Sequence, residues 1–352
     1  MSALANASPV LRLAPWLVVI AVIAGLPFSV SALTLYTLSI VAIYAIAAVG
    51  YNLLLGNTGQ ISLAPAAFVA IGAYSMVIGE DHGLPSFVCV AIAVVISTLV
   101  SILLGVVTLR LSGFYLALST LALAELVQQL LGSQSEVTGG YGGVSAPTLA
   151  LFESGYGTVV DNFWTTAIVL VAAVAVTRNI LRSYLGRAFA AVRDVPGAAS
   201  TSSIRPRRYK LVAFVISGVY AAVAGCLYGS TVGFIDPSQF GLAMTVQLVG
   251  MIVIGGMGSI TGSLLGAAFF VILPQELQIT ATVQAVGFGI LIMLTMVLLP
   301  GGVVSLGDRL RSQISAVRSR RAGDGPAGGS PPGQTHRGEA EPVTVVGHGG
   351  ES

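Results

Sequence analysis

Side chains able to do chemistry are scarce in this chain, in which 55% of the 352 residues are apolar and only 9% charged. Glu125 is the one carboxylate well inside an apolar run. An acid in such a setting is costly unless it is hydrated or paired, so it marks a proton relay, a contact to a substrate amine, or a structural residue: a hydrogen-bond anchor, or one near enough to the outer surface to be hydrated, with Gln128 and Gln129 following. The structural reading is favoured, because a proton route needs a series of ionisable groups and none accompanies Glu125. A second polar concentration, Gly50 to Leu63, holds Asn52, Asn57, Thr58, Gln60 and Ser62. Such groups at the junction of two apolar runs either form a polar turn or face protein, water or solute. Asn52, Gln60, Ser62, Thr120 and Glu125 are therefore the candidates for lining a solute path.

Glycine marks two further places. Residues 250 to 266 contain six glycines, and Gly258, Gly262 and Gly266 recur every four residues, the spacing of one helix face that permits close helix contact. Both this stretch and the one at 50 to 63 read as a glycine-broken junction between a descending and an ascending span. That is a weak parallel repeat, and broken helices in matching halves are a pointer to a transport path. The run Thr138-Gly139-Gly140-Tyr141-Gly142-Gly143 does not lie between a strand and a helix, so it is an outer loop and not a phosphate cradle. No Walker-type segment and no cluster of His and Cys occurs, and His82, His336 and His348 fall in loops or the tail. Cys89 and Cys226 sit in apolar runs and read as small packing residues. Nothing here makes an active site, a metal centre or a nucleic-acid surface.

The basic residues are the most unevenly placed. Arg178, Arg182, Arg187, Arg193, Arg205, Arg207, Arg208 and Lys210 are half of the 16 Lys and Arg, against one acid, Asp194, in the same stretch. From Leu185 to Asp194 the spacing predicts a short helix with Leu185, Phe189 and Val192 on one face and Arg187 and Arg193 elsewhere. Pro196 ends it. Positive-inside topology with an interfacial helix accounts for the charge but not for the amphipathic helix, which is better read as seated in a partner's groove.

The elements that must position these residues are membrane helices. Apolar runs fall at 13 to 31, 33 to 55, 60 to 79, 85 to 109, 113 to 131, 163 to 181, 211 to 234, 240 to 256, 259 to 273 and 281 to 299. The runs do not alternate, which excludes a membrane β-barrel. The fold expected is all-α: a polytopic transmembrane bundle of about ten segments, or eight with a re-entrant hairpin at 240 to 273. Arg12, Arg110, the 178 to 210 cluster and Arg309 to Arg321 place both termini and these loops in the cytoplasm, while connections 80 to 84, 132 to 162, 235 to 239 and 274 to 280 lack Lys and Arg. The domain plan is a cytoplasmic N-terminus at 1–12, a transmembrane domain at 13–302 and a disordered cytoplasmic tail at 303–352, rich in Gly and Pro. Within the domain lie an external loop, 132–162, and a cytoplasmic loop, 182–210. The first run reads as a span and not as a removed signal peptide.

Over about residues 35 to 302 the chain resembles the permease subunits of branched-chain amino-acid ABC importers. The matching stretches are Tyr51 to Leu63 with Ala66-Ala67-Phe68 and Gly72-Ala73-Tyr74; Gly113 to Glu125; Thr138-Gly139-Gly140; Gly186 to Arg193; Tyr209-Lys210-Leu211 with Ala213-Phe214; and Gly255 to Ser259. Each is weak alone, and their shared order makes them strong together. The resemblance implies a bacterial plasma (inner) membrane protein with a second permease subunit, two ATP-binding subunits and an extracytoplasmic solute-binding protein, embedded in lipid. It makes Leu185, Gly186, Arg187, Phe189, Val192 and Arg193 the coupling helix, with ATP and magnesium bound by the partners and no cofactor by this chain. Two departures stand out. Ala64-Pro65 replaces a Gly-His pair, which bears on solute identity, and Ser203-Ile204 followed by Pro206 replaces a Gly-Ile step, which bears on local loop geometry. Related permeases carry urea or short amides. A stand-alone ion-coupled secondary transporter or channel is the competing class, disfavoured by the lack of paired ionisable groups in the apolar runs.

Overall fold

The computed structural model describes residues 29–108, 113–146, 157–194, 206–277 and 281–298, with Gly25 and Pro27 besides. The N-terminal segment 1–12, nearly all of the run at 13–31, Arg110, Pro196, Arg205 and the tail 303–352 lie outside the described residues. What is described is almost wholly helical.

Helix α1 (Ala32–Thr58) starts where the Ser31 hydroxyl accepts the Thr34 amide at 3.3 Å and stops at Gly59, whose φ of 68° no helix can continue. Residues 60 to 64 are unwound, and α2 (Pro65–Asp81) begins with proline at its first position, where the missing N–H costs nothing. The run at 60 to 79 is thus a helix only from Pro65 onward. Then follow α3 (Ser86–Thr108), α4 (Phe114–Ser133), the single turn α5 (Ser135–Thr138), α6 (Thr158–Arg182), the short α7 (Tyr184–Asp194), α8 (Pro206–Val232), α9 (Leu242–Gly255), α10 (Ile260–Leu277) and α11 (Ala281–Leu298). Among the described residues, α1, α3, α4, α6 and α8 are long and apolar enough to cross a membrane. The 14 residues of α9 reach about 21 Å at 1.5 Å each, short of a hydrocarbon core of about 30 Å.

Helix α8 is the centre of the bundle. It packs along both α1 and α2, which follow one another in sequence yet scarcely touch. Small residues allow the approach: a Cβ on Gly72 would strike the Ala222 carbonyl, and one on Gly225 the Val69 carbonyl. Phe68 of α2 meets Phe214 of α8 edge to face, ring centroids 5.8 Å apart. Tyr51, Tyr74, Phe240 and Phe270 are among the large side chains fully buried around this axis. Cys89 and Cys226 are free and buried, as packing residues should be.

At the end opposite α7 the chain closes with a two-stranded clasp. Strand β1 (Val144–Ser145) pairs antiparallel with β2 (Phe234–Ile235), Val144 opposite Ile235 and Ser145 opposite Phe234. The loop after α4 is thereby fastened to the connection between α8 and α9.

Candidate functional site at the meeting of two broken hairpins

Helix α7 follows α6 through a turn in which the Ser183 amide donates to the Asn179 and Ile180 carbonyls, both at 3.1 Å, and the Ser183 hydroxyl accepts the Leu185 amide at 3.1 Å. Gly186 is needed at this turn, since a Cβ there would run into the Leu181 backbone. Gly186, Ala188, Phe189 and Val192 are buried, Leu185 is half-buried, and Tyr184, Arg187, Ala190, Arg193 and Asp194 are exposed. The helix and its two faces match the spacing argument. The direction of the apolar face does not match the expectation of a partner groove. Phe189 and Val192, 0% and 1% exposed, are buried within this chain, where α7 packs on α1 and α8. The surface left for another protein is the polar one, on which the Arg187 guanidinium lies 5.9 Å from the centre of the Tyr184 ring.

Arg193 reaches back into the bundle. Its Nη1 donates to the Gly56 carbonyl at 2.6 Å, a charge-assisted bond to one of the carbonyls left free in the last turn of α1. The negative end of the helix dipole adds to it. The neighbouring Arg193–Asp194 contact, Nε to Oδ1 at 3.8 Å, is between exposed side chains and contributes little.

Asn52, one turn before Gly56, ties the same helix end to the second junction. Its Nδ2 donates to the Ser259 carbonyl at 2.9 Å and to Ser263 Oγ at 2.8 Å, and its Oδ1 accepts the Gly258 amide at 2.9 Å. The two glycine-broken junctions therefore meet, and Arg193 of α7 meets both, since a Cβ on Gly258 would sit 3.6 Å from Arg193 Nη1 and from the Gly56 carbonyl. This corrects one expectation. Gly258 is not part of a helix face with Gly262 and Gly266 but stands in the turn before α10, with a φ of 82° that L side chains avoid. Gly262 and Gly266 do lie on α10 and pack against α9, where a Cβ on either would strike the Gly255 or the Met251 carbonyl.

The other path candidates surround the first junction. Gln60 is buried, its Nε2 donating to Thr58 Oγ1 at 2.8 Å and to the Lys210 carbonyl at 3.2 Å, while its Oε1 has no partner among the described residues. The Ser62 carbonyl accepts the Tyr51 hydroxyl at 2.5 Å and its Oγ accepts the Ala64 amide at 3.3 Å. Thr120 Oγ1 accepts the Leu63 amide at 2.8 Å from across the gap between α4 and the unwound segment. Asn52, Gln60, Ser62 and Thr120 are thus all buried and hydrogen-bonded within the chain. Glu125 is the exception. It is exposed on α4, and no described residue hydrogen-bonds its carboxylate.

At the far end, Thr138 Oγ1 donates to the Leu131 and Gln134 carbonyls at 2.5 and 2.7 Å, ending α5, and Gly139 and Gly140 follow with φ of 70° and 56°. Two buried polar contacts escaped the sequence reading. Asn162 Nδ2 donates to the Ser230 carbonyl at 3.3 Å, and Thr177 Oγ1 donates to the Tyr220 hydroxyl at 2.9 Å, both joining α6 to α8. Polar residues recurring on one side of an apolar run were the only signal for either.

Residues 33–300 match the family model described as branched-chain amino acid transport system / permease component. The chain is 34% identical over 242 residues to the high-affinity branched-chain amino acid transport system permease protein LivM of Escherichia coli K12 and 33% identical to that of Salmonella typhimurium LT2. Each alignment covers 62% of this chain and 57% of the relative, so the match spans little more than half the length of these curated proteins. A solved structure, PsaBC from Streptococcus pneumoniae in complex with Fab, is similar with a TM-score of 0.42 at 11% identity, covering 80% of this chain and 96% of that one. That likeness is too low to carry an argument.

Proposed function

The chain belongs to the branched-chain amino acid transport permease family, and from that membership we propose that it is the permease subunit of an ABC importer, moving branched-chain amino acids across a bacterial inner membrane. The observation that carries the reading is the extent of the family match, which takes in both broken junctions and α7. Ten membrane segments with both termini inside, a permease domain at 13–302 and a cytoplasmic tail at 303–352 belong to the same proposal.

In this reading a binding protein outside delivers the solute and a second permease subunit completes the path. Two ATPase subunits, holding ATP and magnesium, act on the exposed side of α7. Helix α7 serves as the coupling helix through Arg187 and its neighbours, while Phe189 and Val192 keep it seated on its own bundle. Arg193 and Asn52 then link that helix to the end of α1 and the start of α10. Solutes such as urea or short amides are the second reading, favoured by Pro65, which stands where the resemblance implies a histidine.

The test is reconstitution with the partner subunits in proteoliposomes, measuring ATP-dependent uptake of labelled leucine and of labelled urea side by side. Leucine uptake that valine inhibits supports the amino-acid reading. Urea uptake without leucine uptake replaces it with the amide reading, and uptake by this chain alone under an ion gradient overturns the importer.

A further inference from the structure

On α4, Leu118, Ala122, Glu125, Leu126, Gln129 and Leu130 are all exposed, each three or four residues from another of them along the helix, while Leu116, Thr120 and Ala124 are buried on the opposite side. The exposed residues form one continuous helix face. Glu125 stands twelfth in a helix of 20 residues, so it is roughly 16 Å from one end and 12 Å from the other. Loop hydration at the helix ends does not reach that depth. Helix α3 gives the contrast within the same molecule. Its exposed residues from Phe87 to Val107, including Val95, Leu99 and Leu103, are all apolar, which is a surface fit for lipid. A carboxylate at mid-span that is neither buried nor bonded to any described residue is not.

A second observation continues the face beyond the span. The Tyr141 hydroxyl donates to Gln129 Oε1 at 3.0 Å, so the glycine turn after α4 is tied to the same side of the helix. Helix α4 carries no Lys or Arg to neutralise Glu125. The face therefore offers one carboxyl and no cationic side chain, complementary to a cation and not to an anion.

We infer that this face of α4 borders water and not lipid, as the wall of the solute path facing the second permease subunit, and that Glu125 meets the ammonium group of an amino acid in transit. The inference rests on the permease reading and narrows it. Of the five path candidates, the four around the first junction are buried and, apart from Gln60 Oε1, bonded within the chain, and the solute is met on α4.

Single cysteines at Glu125 and Gln129, with Leu99→Cys as the lipid-side control, test it in the full assembly with its partner subunits. The probe is a charged, membrane-impermeant methanethiosulfonate, which needs a thiolate in water. Glu125→Cys and Gln129→Cys are expected to react about tenfold faster than Leu99→Cys or more. Reaction no faster than the control at both positions overturns the inference. Glu125→Gln is expected to raise the KM for leucine uptake by about fivefold with kcat little changed. An unchanged KM removes the ammonium contact. Labelling needs no transport, so the two readings fail separately: leucine uptake with unlabelled cysteines leaves the permease and removes the wet face, and labelled cysteines without uptake do the reverse.

Discussion

Arg193 Nη1 donates to the Gly56 carbonyl at 2.6 Å across 137 residues of sequence, joining the polar side of α7 to the last turn of α1. Because the arginine is half-exposed, the bond itself is worth about 1 kcal/mol at most. Its importance lies in what it connects. Arg193→Gln should leave the melting temperature of the purified complex nearly unchanged while lowering leucine uptake per ATP hydrolysed several-fold. Unchanged uptake per ATP would show that the link transmits nothing.

Asn52→Ala removes three hydrogen bonds at once and leaves the Gly258 amide and the Ser259 carbonyl to find other partners. A loss of about 2–3 kcal/mol is expected, read as a lower midpoint in thermal unfolding in detergent. Asn52→Asp should be worse, because it deletes the donors to Ser259 and Ser263 and buries a charge in their place.

The two faces of α7 should respond differently. Phe189→Ala opens a cavity in a fully buried site and should cost about 3–5 kcal/mol, seen as poor recovery of folded protein. Arg187→Glu, on the exposed face, should change stability by no more than about 0.5 kcal/mol and instead weaken co-purification of the ATPase subunits. The reverse result would mean that the partner reads the apolar face after all.

Glycines on α8 give a matched pair. Gly225→Ala places a methyl group into the Val69 carbonyl and should cost about 1–3 kcal/mol. Gly229→Ala, one turn on, meets Ala73 at 3.6 Å, an ordinary contact, and should be neutral or stabilise by up to about 1 kcal/mol. Equal effects at both positions, measured by thermal unfolding, would contradict the packing of α8 on α2.

Helix positions and the faces of α7 were legible in the sequence because burial leaves a period, and period survives without coordinates. What the period does not carry is the identity of the body on the other side. Phe189 and Val192 have the same spacing whether they pack on this chain or on another, so the groove was assigned to the wrong molecule. Gly258 shares a spacing of four with Gly262 and Gly266, but spacing does not distinguish a helical residue from one with a positive φ in the turn before the helix. Asn52 was recognisable as a polar group needing a partner, while its partners, more than 200 residues away, left no local trace. Glu125 reversed the pattern: of its two structural readings, the anchor needs a bonding partner, and among the described residues there is none.

The seat of α8 between α1 and α2 also bears on the order in which the chain can be assembled. When α1 and α2 leave the ribosome they have few contacts with each other, and the helix that fills the gap between them is complete only once Val232 has been made. At typical elongation rates of about 5–20 residues per second, that leaves a gap lasting many seconds. Until α8 is in place, the sides of α1 and α2 that it covers in the finished fold have no helix against them, so its late arrival joins the first helices into one bundle.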